Sequence, residues 1–395
     1  MFCSLRIHRS MLPVVIGLLL GLASLILLVR DALLLNKIPK IEPRPSPEPM
    51  PSVAVLVPAR NEAQNIGHVL RGMAQQTRSD WQLTILDDHS TDATAAIVAD
   101  VAAQDQRVHL LQGQALPAGW TGKCWACWQL AEASTSEWLL FLDADTKPQP
   151  EMLQQALAYA EAEKLDLLTF LPFSELGSFW EQTLLPAFFS IIQAAYPVSK
   201  VNTPGSGVVL ANGQFILVRR SAYQRAGGHA AVRDRVLEDV ELAQAIVRAG
   251  GVMRAVYAGE LLRVRMYTKG SEVREGLVKN AIAGLRNGGV RSSWAGLRQI
   301  LVGVVPFGLG LLSLWAWLRR WTFWPKILLS AMAVLLNGFA LWSWGRFMQQ
   351  LYGLSRRHAL LFPLGIVCYM LLAAEAAWRI WSGRGVTWKG RTYKE

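Results

Sequence analysis

The sequence has few cysteines, few charged residues and none of the common glycine-rich nucleotide loops. Only four of its 395 residues are cysteines and 17% are charged, which excludes a disulfide scaffold and a disordered polyelectrolyte. No G-x-x-x-x-G-K-[ST] segment occurs, and no G-x-G-x-x-G follows an apolar strand. P-loop and dinucleotide-binding folds are therefore not indicated.

Acidic residues are scarce in the last third of the chain. Residues 261–395 hold 19 Lys and Arg but 4 Asp and Glu, whereas residues 1–260 hold 21 and 25. A basic region can bind nucleic acid. Here, however, it coincides with long apolar runs and with many of the sixteen tryptophans. This combination favours anionic lipid head groups and a membrane over nucleic acid.

Four apolar runs are long enough to cross a bilayer as helices. The first, Met11–Val29, is uncharged and lies between Arg9 and Arg30, so we predict an N-terminal membrane anchor over residues 1–35 rather than a cleaved signal peptide. Three more spans are predicted at residues 301–318, 327–344 and 359–378, followed by a basic tail at 379–395. Basic residues after the anchor place the following domain on the cytoplasmic face. Three further crossings would put the basic tail outside, so the topology stays open.

The region between these runs alternates strand and helix patterns. A proline-rich stretch at 36–51 predicts a stiff extended spacer. Strands are predicted to begin at Val53, Leu83, Val108, Trp138 and Leu165, with helices between them and with Ser90 and Thr91 as N-caps. The pattern predicts an α/β domain with a largely parallel sheet over residues 52–268. Residues 269–300 follow as a basic amphipathic segment.

Polar residues follow three of these strands. They are Pro58–Glu62, Asp87–Ser90 and Asp143–Asp145. Ligands of open α/β sheets bind beyond the carboxyl ends of the strands, although turns also favour such residues. Asp143 and Asp145 suit Mg²⁺ or Mn²⁺, and Lys123, in the first turn of a predicted helix, suits a phosphate. The three clusters together predict a nucleoside-diphosphate-sugar site.

In order and spacing, the segments Val57–Glu62, Asp87–Asp92, Asp143–Asp145 and Leu237–Asp239 resemble those of family 2 glycosyltransferases, which have the GT-A fold. The resemblance covers about residues 52–268. Leu116–Trp125 and Arg265–Gly270 further resemble membrane glycosyltransferases that act on carotenoids, and their hopanoid-associated relatives.

The resemblance implies a GT-A domain that transfers sugar, and it suggests roles for individual residues. The predicted nucleotide-sugar contacts are Pro58, Arg60, Glu62, Asp88, Lys123, Asp143 and Arg265. Asp88 would read the base, on the family pattern a uracil. Asp145 and Asp143 would hold the metal, and Asp239 would be the general base. Gln214, Phe215 and Glu238 are predicted on the acceptor side.

Processive members of this family carry a Gln-x-x-Arg-Trp motif, which this sequence lacks. Its absence favours transfer of a single sugar over polymer synthesis, with Arg265 as a substitute diphosphate contact. For Asp239 the alternative is an ordinary acidic residue at a helix N-terminus.

The acceptor is inferred from apolar segments of the chain. Phe179–Val198 is either buried core or a helix in the membrane interface. We expect an integral membrane enzyme whose acceptor is a hydrophobic alcohol, foremost a carotenoid. The alternatives are a polyprenyl-phosphate or glycolipid acceptor, or a catalytically silent nucleotide-binding scaffold.

Two further residue sets invite a metal or redox interpretation. Cys124 and Cys127 form a C-x-x-C, but no second pair exists, so we expect both to pack in the interior. His229 is expected to be structural rather than a metal ligand.

Overall fold

The computed structural model of the chain describes residues 2–319, 321–382, 386–388 and 391–393. It divides into two compact units. The α/β unit comprises Ile38–Glu175 and Val198–Met266. The helical unit comprises Met1–Lys37, Leu176–Pro197 and Tyr267–Glu395. The segment 176–197, predicted inside the α/β domain, thus belongs to the helical unit.

The described residues form thirteen α-helices and ten strands. The helices are α1 Phe2–Leu35, α2 Ile66–Ala74, α3 Thr94–Ala102, α4 Gly122–Glu132, α5 Met152–Ala162, α6 Phe179–Ala195, α7 Val198–Val201, α8 Arg220–Arg225, α9 Glu238–Arg248, α10 Gly270–Gly303, α11 Val305–Leu318, α12 Phe323–Tyr352 and α13 Phe362–Trp381. The strands are β1 Val53–Ala59, β2 Trp81–Asp87, β3 Val108–Gln112, β4 Trp138–Leu142, β5 Thr146–Pro148, β6 Leu167–Ser174, β7 Phe215–Arg219, β8 Met253–Val264, β9 Val386–Trp388 and β10 Arg391–Tyr393.

Eight strands form one mixed sheet in the order β3-β2-β1-β4-β7-β6-β8-β5. The first four are parallel, but β7 runs antiparallel to both β4 and β6. The expectation of a largely parallel sheet holds for the first four strands and for the β6–β8 pair, but β7 and β5 pair only in antiparallel fashion. The antiparallel pairing places Leu142, at the end of β4, opposite Phe215, at the start of β7. Asp143 and the turn before β7 therefore meet at one sheet edge.

The core of the α/β unit lies on the sheet. Its largest fully buried side chains include Trp138, Phe170 and Phe215. The rings of Phe170 and Phe215 stack at 3.9 Å between centroids. Burial of such aromatic area stabilises the junction of β6 and β7, next to the polar edge.

The predicted N-caps of α3 are wrong. The helix begins at Thr94, whose backbone N–H donates to Asp92 Oδ1 at 3.0 Å. Ser90 and Thr91 instead bond to Asn61 in the neighbouring loop. Ser90 and Thr91 therefore connect the two loops and do not cap α3.

Between α1 and β1 the proline-rich spacer forms no helix or strand apart from a bridge between Lys40 and Tyr257, and it is docked on the α/β unit. The backbone of Tyr257 bonds to Pro39 and Ile41, at 2.7 and 3.1 Å. Arg44 Nη2 donates to Glu163 Oε1 at 3.0 Å. The spacer is thus part of the folded unit.

The described residues include four helical segments long and apolar enough to cross a membrane. They are Leu12–Leu35, Phe179–Val201, Phe323–Tyr352 and Arg356–Trp381. Two further helical segments, Gly288–Gly303 and Val305–Leu318, pass the same test together across a 43° bend. The chain thus has the apolar helices of a membrane protein.

The predicted span at 301–318 is wrong as a single helix. The chain breaks at Val304 between α10 and α11, and Pro306 in the first turn of α11 has no N–H for the preceding helix. At fourteen residues, α11 is about 21 Å long, shorter than the hydrocarbon core.

The amphipathic segment predicted at 269–300 is helical, but it is interrupted. α10 runs from Gly270 to Gly303, with Gly289 at φ 46° and ψ −122° inside it. Only glycine adopts such a backbone conformation at low cost. The segment is therefore two helices joined by a glycine hinge.

The predicted apolar segment 179–198 forms α6 and largely packs inside the helical unit. Ser178 and Glu181 form a capping box at its start. Leu184, Leu185 and Ile191 are buried, whereas Phe179 is 50% exposed. The helix therefore contributes to the interior of its unit along most of its length.

The basic tail predicted at 379–395 is described in part. β9 and β10 pair in antiparallel fashion. Arg384, Lys389 and Lys394 lie outside the described residues.

Candidate active site

Two loops that follow β1 and β2 are held together by polar contacts. Asn61 N–H donates to Ser90 Oγ at 2.9 Å, and Thr91 N–H donates to Asn61 Oδ1 at 2.8 Å. Asn61 and His89 adopt positive φ angles of 54° and 55°, which are costly for residues other than glycine. Hydrogen bonds thus join the two loops into one edge beyond the sheet.

The structure brings together the predicted nucleotide contacts Arg60 and Asp88 on this edge. Arg60 Nη1 lies 3.2 Å from the Asp88 carbonyl oxygen and 3.5 Å from Asp88 Oδ2. Pro58 is half-buried within β1, where it pairs with Leu86. Glu62 Oε2 accepts a hydrogen bond from Asn65 Nδ2 at 2.8 Å, which gives Glu62 a local role in the turn before α2.

Lys123 joins two acidic positions that are far apart in the sequence. Thr121 caps α4 by accepting from Cys124 N–H at 3.3 Å. Lys123, in the first turn, lies 2.8 Å from Asp143 Oδ1 and 2.9 Å from Glu238 Oε1 through its Nζ. Desolvation opposes its charge, but the two carboxylates hold the pKa of Lys123 well above its usual value. Its ammonium is therefore a fixed positive charge in the site.

Asp239 is half-buried at the start of α9. Its Oδ2 accepts from Gly213 N–H and its Oδ1 from Val240 N–H, both at 2.8 Å. Burial, followed by the neighbouring charge of Glu238, raises the pKa of Asp239 to about 6. Lys123 and the two backbone donors act in the opposite direction. Asp239 is thus an oriented carboxylate with a pKa near neutrality, which suits a general base.

A tight turn before β7 supplies one of these donors. Phe215 N–H bonds to the Asn212 carbonyl oxygen at 3.0 Å, which closes the turn around Gly213. A Cβ at residue 213 would lie 2.9 Å from Lys123 Nζ and 3.3 Å from Asp239 Oδ2. A side chain at residue 213 would therefore displace the lysine ammonium and crowd the carboxylate, which both approach the backbone closely.

Asp143 and Asp145 follow β4 on either side of the buried Ala144. Two hard carboxylates at this spacing fit Mg²⁺ or Mn²⁺, cations that take further oxygen ligands from phosphates and water. Among the described residues, no group of three or more His, Cys, Asp or Glu is arranged to hold a metal. A cation here would thus depend on substrate oxygens, and it would share Asp143 with Lys123.

The structure buries all three predicted acceptor-side residues. Phe215 is fully buried and stacked on Phe170. Glu238 pairs with Lys123. Gln214 is 6% exposed and accepts from Asn212 Nδ2 at 3.2 Å. Their acceptor-side roles stay predictions.

The other predicted diphosphate contact, Arg265, directly follows β8 and is half-buried. Its role stays a prediction.

The residues packed behind the site are structural. Tyr223 Oη bonds to His229 Nδ1 at 2.9 Å, and burial lowers the pKa of His229 to about 3. Burial raises the pKa of Cys124 to about 12 and that of Cys127 well above its usual value. Both thiols are buried, as the packing interpretation expected, and they stay protonated near neutral pH.

Two contacts of the site were missed by the sequence analysis. One is the backbone N–H of Gly213, and the other is the buried hydroxyl of Thr169, which bonds to the same turn. The Asn212-Gly213 pair is a turn signal, but it does not reveal which carboxylate the turn faces.

Comparison with known proteins shows what the chain is similar to. Residues 54–227 match the family described as "Glycosyl transferase family 2". The chain is 26% identical over 237 residues to the 4,4'-diaponeurosporenoate glycosyltransferase of Staphylococcus haemolyticus (strain JCSC1435). The aligned region covers 59% of this chain and 62% of the relative. A relative of the same name from Staphylococcus aureus (strain MRSA252) is 26% identical over 238 residues, 59% of this chain and 61% of the relative. The chain thus spans about three-fifths of the length of these relatives.

A solved structure shows the same fold. It is the mannosyltransferase PcManGT from Pyrobaculum calidifontis in complex with GDP-Man and Mn²⁺. The TM-score is 0.54 at 18% identity, with 92% of this chain and 99% of that chain covered. The resemblance to family 2 glycosyltransferases and the GT-A fold is confirmed.

Proposed function

We propose that the chain is a membrane-bound, inverting glycosyltransferase that moves one sugar from a nucleoside diphosphate sugar to the hydroxyl of a lipophilic acceptor. The observation that carries the proposal is the Asp239 carboxylate. It is held by the Gly213 and Val240 N–H groups, and Lys123 binds its neighbour Glu238. An oriented base beside a fixed cation is what displacement of a diphosphate by an alcohol requires.

In the proposed reaction Asp239 takes the proton of the acceptor hydroxyl. The hydroxyl oxygen forms a bond to the anomeric carbon while the bond from that carbon to the diphosphate oxygen breaks. Lys123 stabilises the negative charge that develops on the leaving diphosphate. The products are the glycoside, with inverted configuration, and the nucleoside diphosphate.

The donor would lie along the edge that holds Arg60 and Asp88. On the family pattern Asp88 reads the base and favours a UDP-linked sugar. The similar mannosyltransferase was solved with GDP-Man, so both nucleotides belong in the test. Asp143 and Asp145 would hold Mg²⁺ or Mn²⁺, which would add positive charge for the diphosphate when bound.

A carotenoid is the proposed acceptor. Its support is the similarity to the two diaponeurosporenoate glycosyltransferases, together with the apolar helices of the helical unit. The proposed setting is the cell membrane, with the α/β unit on the cytoplasmic face.

The proposal is tested by mass spectrometry of lipid and pigment extracts from host cells that lack the protein. The cells are complemented with wild type, Asp239→Asn or the matched control Asp234→Asn, which makes the same chemical change at an exposed residue. We expect wild type and Asp234→Asn to restore one glycosylated pigment and Asp239→Asn to restore none.

Other results would correct the proposal. Loss of a polyprenyl-phosphate sugar or a glycolipid in place of a pigment would keep the reaction and replace the acceptor. Unchanged extracts, with no sugar transfer from UDP- or GDP-sugars by isolated membranes, would favour a nucleotide-binding scaffold.

A further inference from the structure

The hydroxyl of Thr169 is buried in the sheet but bonds to the catalytic turn. Thr169 lies on β6 and is fully buried. Its Oγ1 accepts from Asn212 N–H at 3.0 Å and donates to the Phe215 carbonyl oxygen at 2.9 Å. One hydroxyl therefore clamps both ends of the turn that contains Gly213.

The same turn is tied on its outer side by the Asn212 side chain. Asn212 Oδ1 accepts from Gln214 N–H at 3.2 Å, and Asn212 Nδ2 donates to Gln214 Oε1 at 3.2 Å. Within the turn, Gly213 N–H is directed at Asp239 Oδ2 at 2.8 Å. Thr169 is therefore linked to the general base through the backbone of the 212–215 turn, which forms hydrogen bonds with both residues.

The sheet itself does not require a hydroxyl at this position. Thr169 pairs with Ile216 of β7 and Ala255 of β8, and valine fills nearly the same volume and suits a strand at least as well. Burying a hydroxyl is unfavourable unless it is bonded. The two bonds of Thr169 thus fix the turn at a place where packing alone would accept valine.

We propose that Thr169 is a positioning residue for glycosyl transfer, whose hydroxyl holds the 212–215 turn so that Gly213 N–H orients the Asp239 carboxylate. The proposal rests on the function proposed above. It predicts a defect in turnover, because the two groups that lie against this turn, the Asp239 carboxylate and the Lys123 ammonium, are proposed to act as the sugar is transferred. Loss of the hydroxyl should lower kcat and leave the KM for the donor unchanged.

The test measures kcat and donor KM in membranes that contain the full chain, with the donor and acceptor pair used by wild type. We expect Thr169→Val to lower kcat about ten- to a hundredfold, the cost of a misplaced catalytic group, with donor KM within about twofold. Thr169→Ser keeps the hydroxyl and should stay within about threefold of wild-type kcat. The control Thr77→Val removes an exposed hydroxyl that bonds to Pro150 and Gln154, and it should leave both constants unchanged.

A second comparison separates positioning from general loss of structure. Gly213→Ala disturbs the same turn, since its Cβ would lie 2.9 Å from Lys123 Nζ and 3.3 Å from Asp239 Oδ2. If Thr169 acts by holding this turn, Thr169→Val should add little to the loss caused by Gly213→Ala.

The proposal is overturned if folded Thr169→Val keeps wild-type kcat, if its defect lies in donor KM, or if the two losses multiply in the double variant. Should Thr169→Val not fold, Thr169→Ala removes the same hydroxyl and leaves a smaller side chain, and an unchanged kcat in that variant would be equally decisive against the proposal. A wild-type chain that transfers no sugar would refute the proposed function, and the positioning role would fall with it. An active wild type with normal Thr169 variants would refute the positioning role alone.

Discussion

The two units place their polar and apolar side chains in opposite ways. Of the 35 exposed large apolar side chains among the described residues, three lie in the α/β unit and the rest in the helical unit. In the helical unit, Ser24, Gln299 and Ser313 are buried and bonded to other helices. In the α/β unit, by contrast, Asp143 and Glu238 meet around Lys123 at one sheet edge.

The difference indicates different surroundings and different tasks. An apolar exterior with bonded polar groups inside is the arrangement that a bilayer favours. A concentration of charge at a sheet edge is stable only when the charges compensate one another, and it is typical of chemistry. Changes in the helical unit should therefore affect stability, whereas changes at the sheet edge should affect turnover.

The largest effect is expected when the central cation of the sheet edge is removed. Lys123→Met leaves Asp143 and Glu238 without their ammonium partner, and it removes the charge that faces the leaving diphosphate. We expect kcat to fall about 10²- to 10³-fold, measured as sugar transfer in membranes. The matched control Lys200→Met changes an exposed lysine of the same unit and should have wild-type activity. Equal activity of the two variants would contradict the role of Lys123.

A glycine of the helical unit should show the opposite profile. A Cβ at Gly365 would lie 2.2 Å from the Thr183 carbonyl oxygen, whereas one at Gly338 would meet no atom within 4 Å. Gly365→Ala should destabilise the protein by about 1–3 kcal/mol through overpacking, and Gly338→Ala should be neutral. Thermal unfolding in detergent measures both. Normal stability of Gly365→Ala, or a turnover defect without loss of stability, would break the division between the units.

The pH dependence of turnover reports on Asp239. Because its pKa is raised to about 6, kcat should fall about tenfold per pH unit below that value as the base takes up a proton. The contribution of Asp239 to folding stability changes with pH in the opposite direction to turnover. The unfolded carboxyl has a pKa of 3.8, so this group favours folding below that pH and its contribution is lost as the pH rises through about 6.

Glu238→Gln sharpens this test, because Glu238 is one of the causes of the raised pKa. In this variant the acid limb of the kcat profile should move to lower pH. An acid limb that does not move would assign the limb to another group.

The smallest effect is expected at the docked spacer. Arg44 bonds to Glu163, and its guanidinium lies 5.8 Å from the Tyr159 ring centroid, with 35% of the side chain exposed. Arg44→Ala should lower the free energy of unfolding by less than about 1 kcal/mol and leave turnover unchanged. A large loss of activity would mean that the spacer takes part in catalysis.

The sequence predicted the parts of the fold that depend on local pattern. Hydrophobic alternation located β1, β2, β3 and β4, and apolar length located most of the candidate spans, because both signals are repeated over many residues. The prediction from sequence failed at residues 301–318, where an uninterrupted apolar run hides a break at Val304. It also failed at Ser90 and Thr91, whose hydrogen-bond partners lie in another loop. Interruptions and contacts between loops leave no periodic signal.

By itself, the sequence determined which residue types are available for chemistry: acids after three strands, a lysine at a helix start and an acid at the start of another helix. Only the tertiary structure decided how they combine. The antiparallel entry of β7 brings the turn around Gly213 to the edge where β4 ends; there Gly213 N–H meets Asp239, and Lys123 lies between Asp143 and Glu238. The physical reason is that the orientation and charge of a carboxylate depend on donors and cations a few ångströms away. Those neighbours come from chain segments up to 115 residues apart in the sequence, between Lys123 and Glu238.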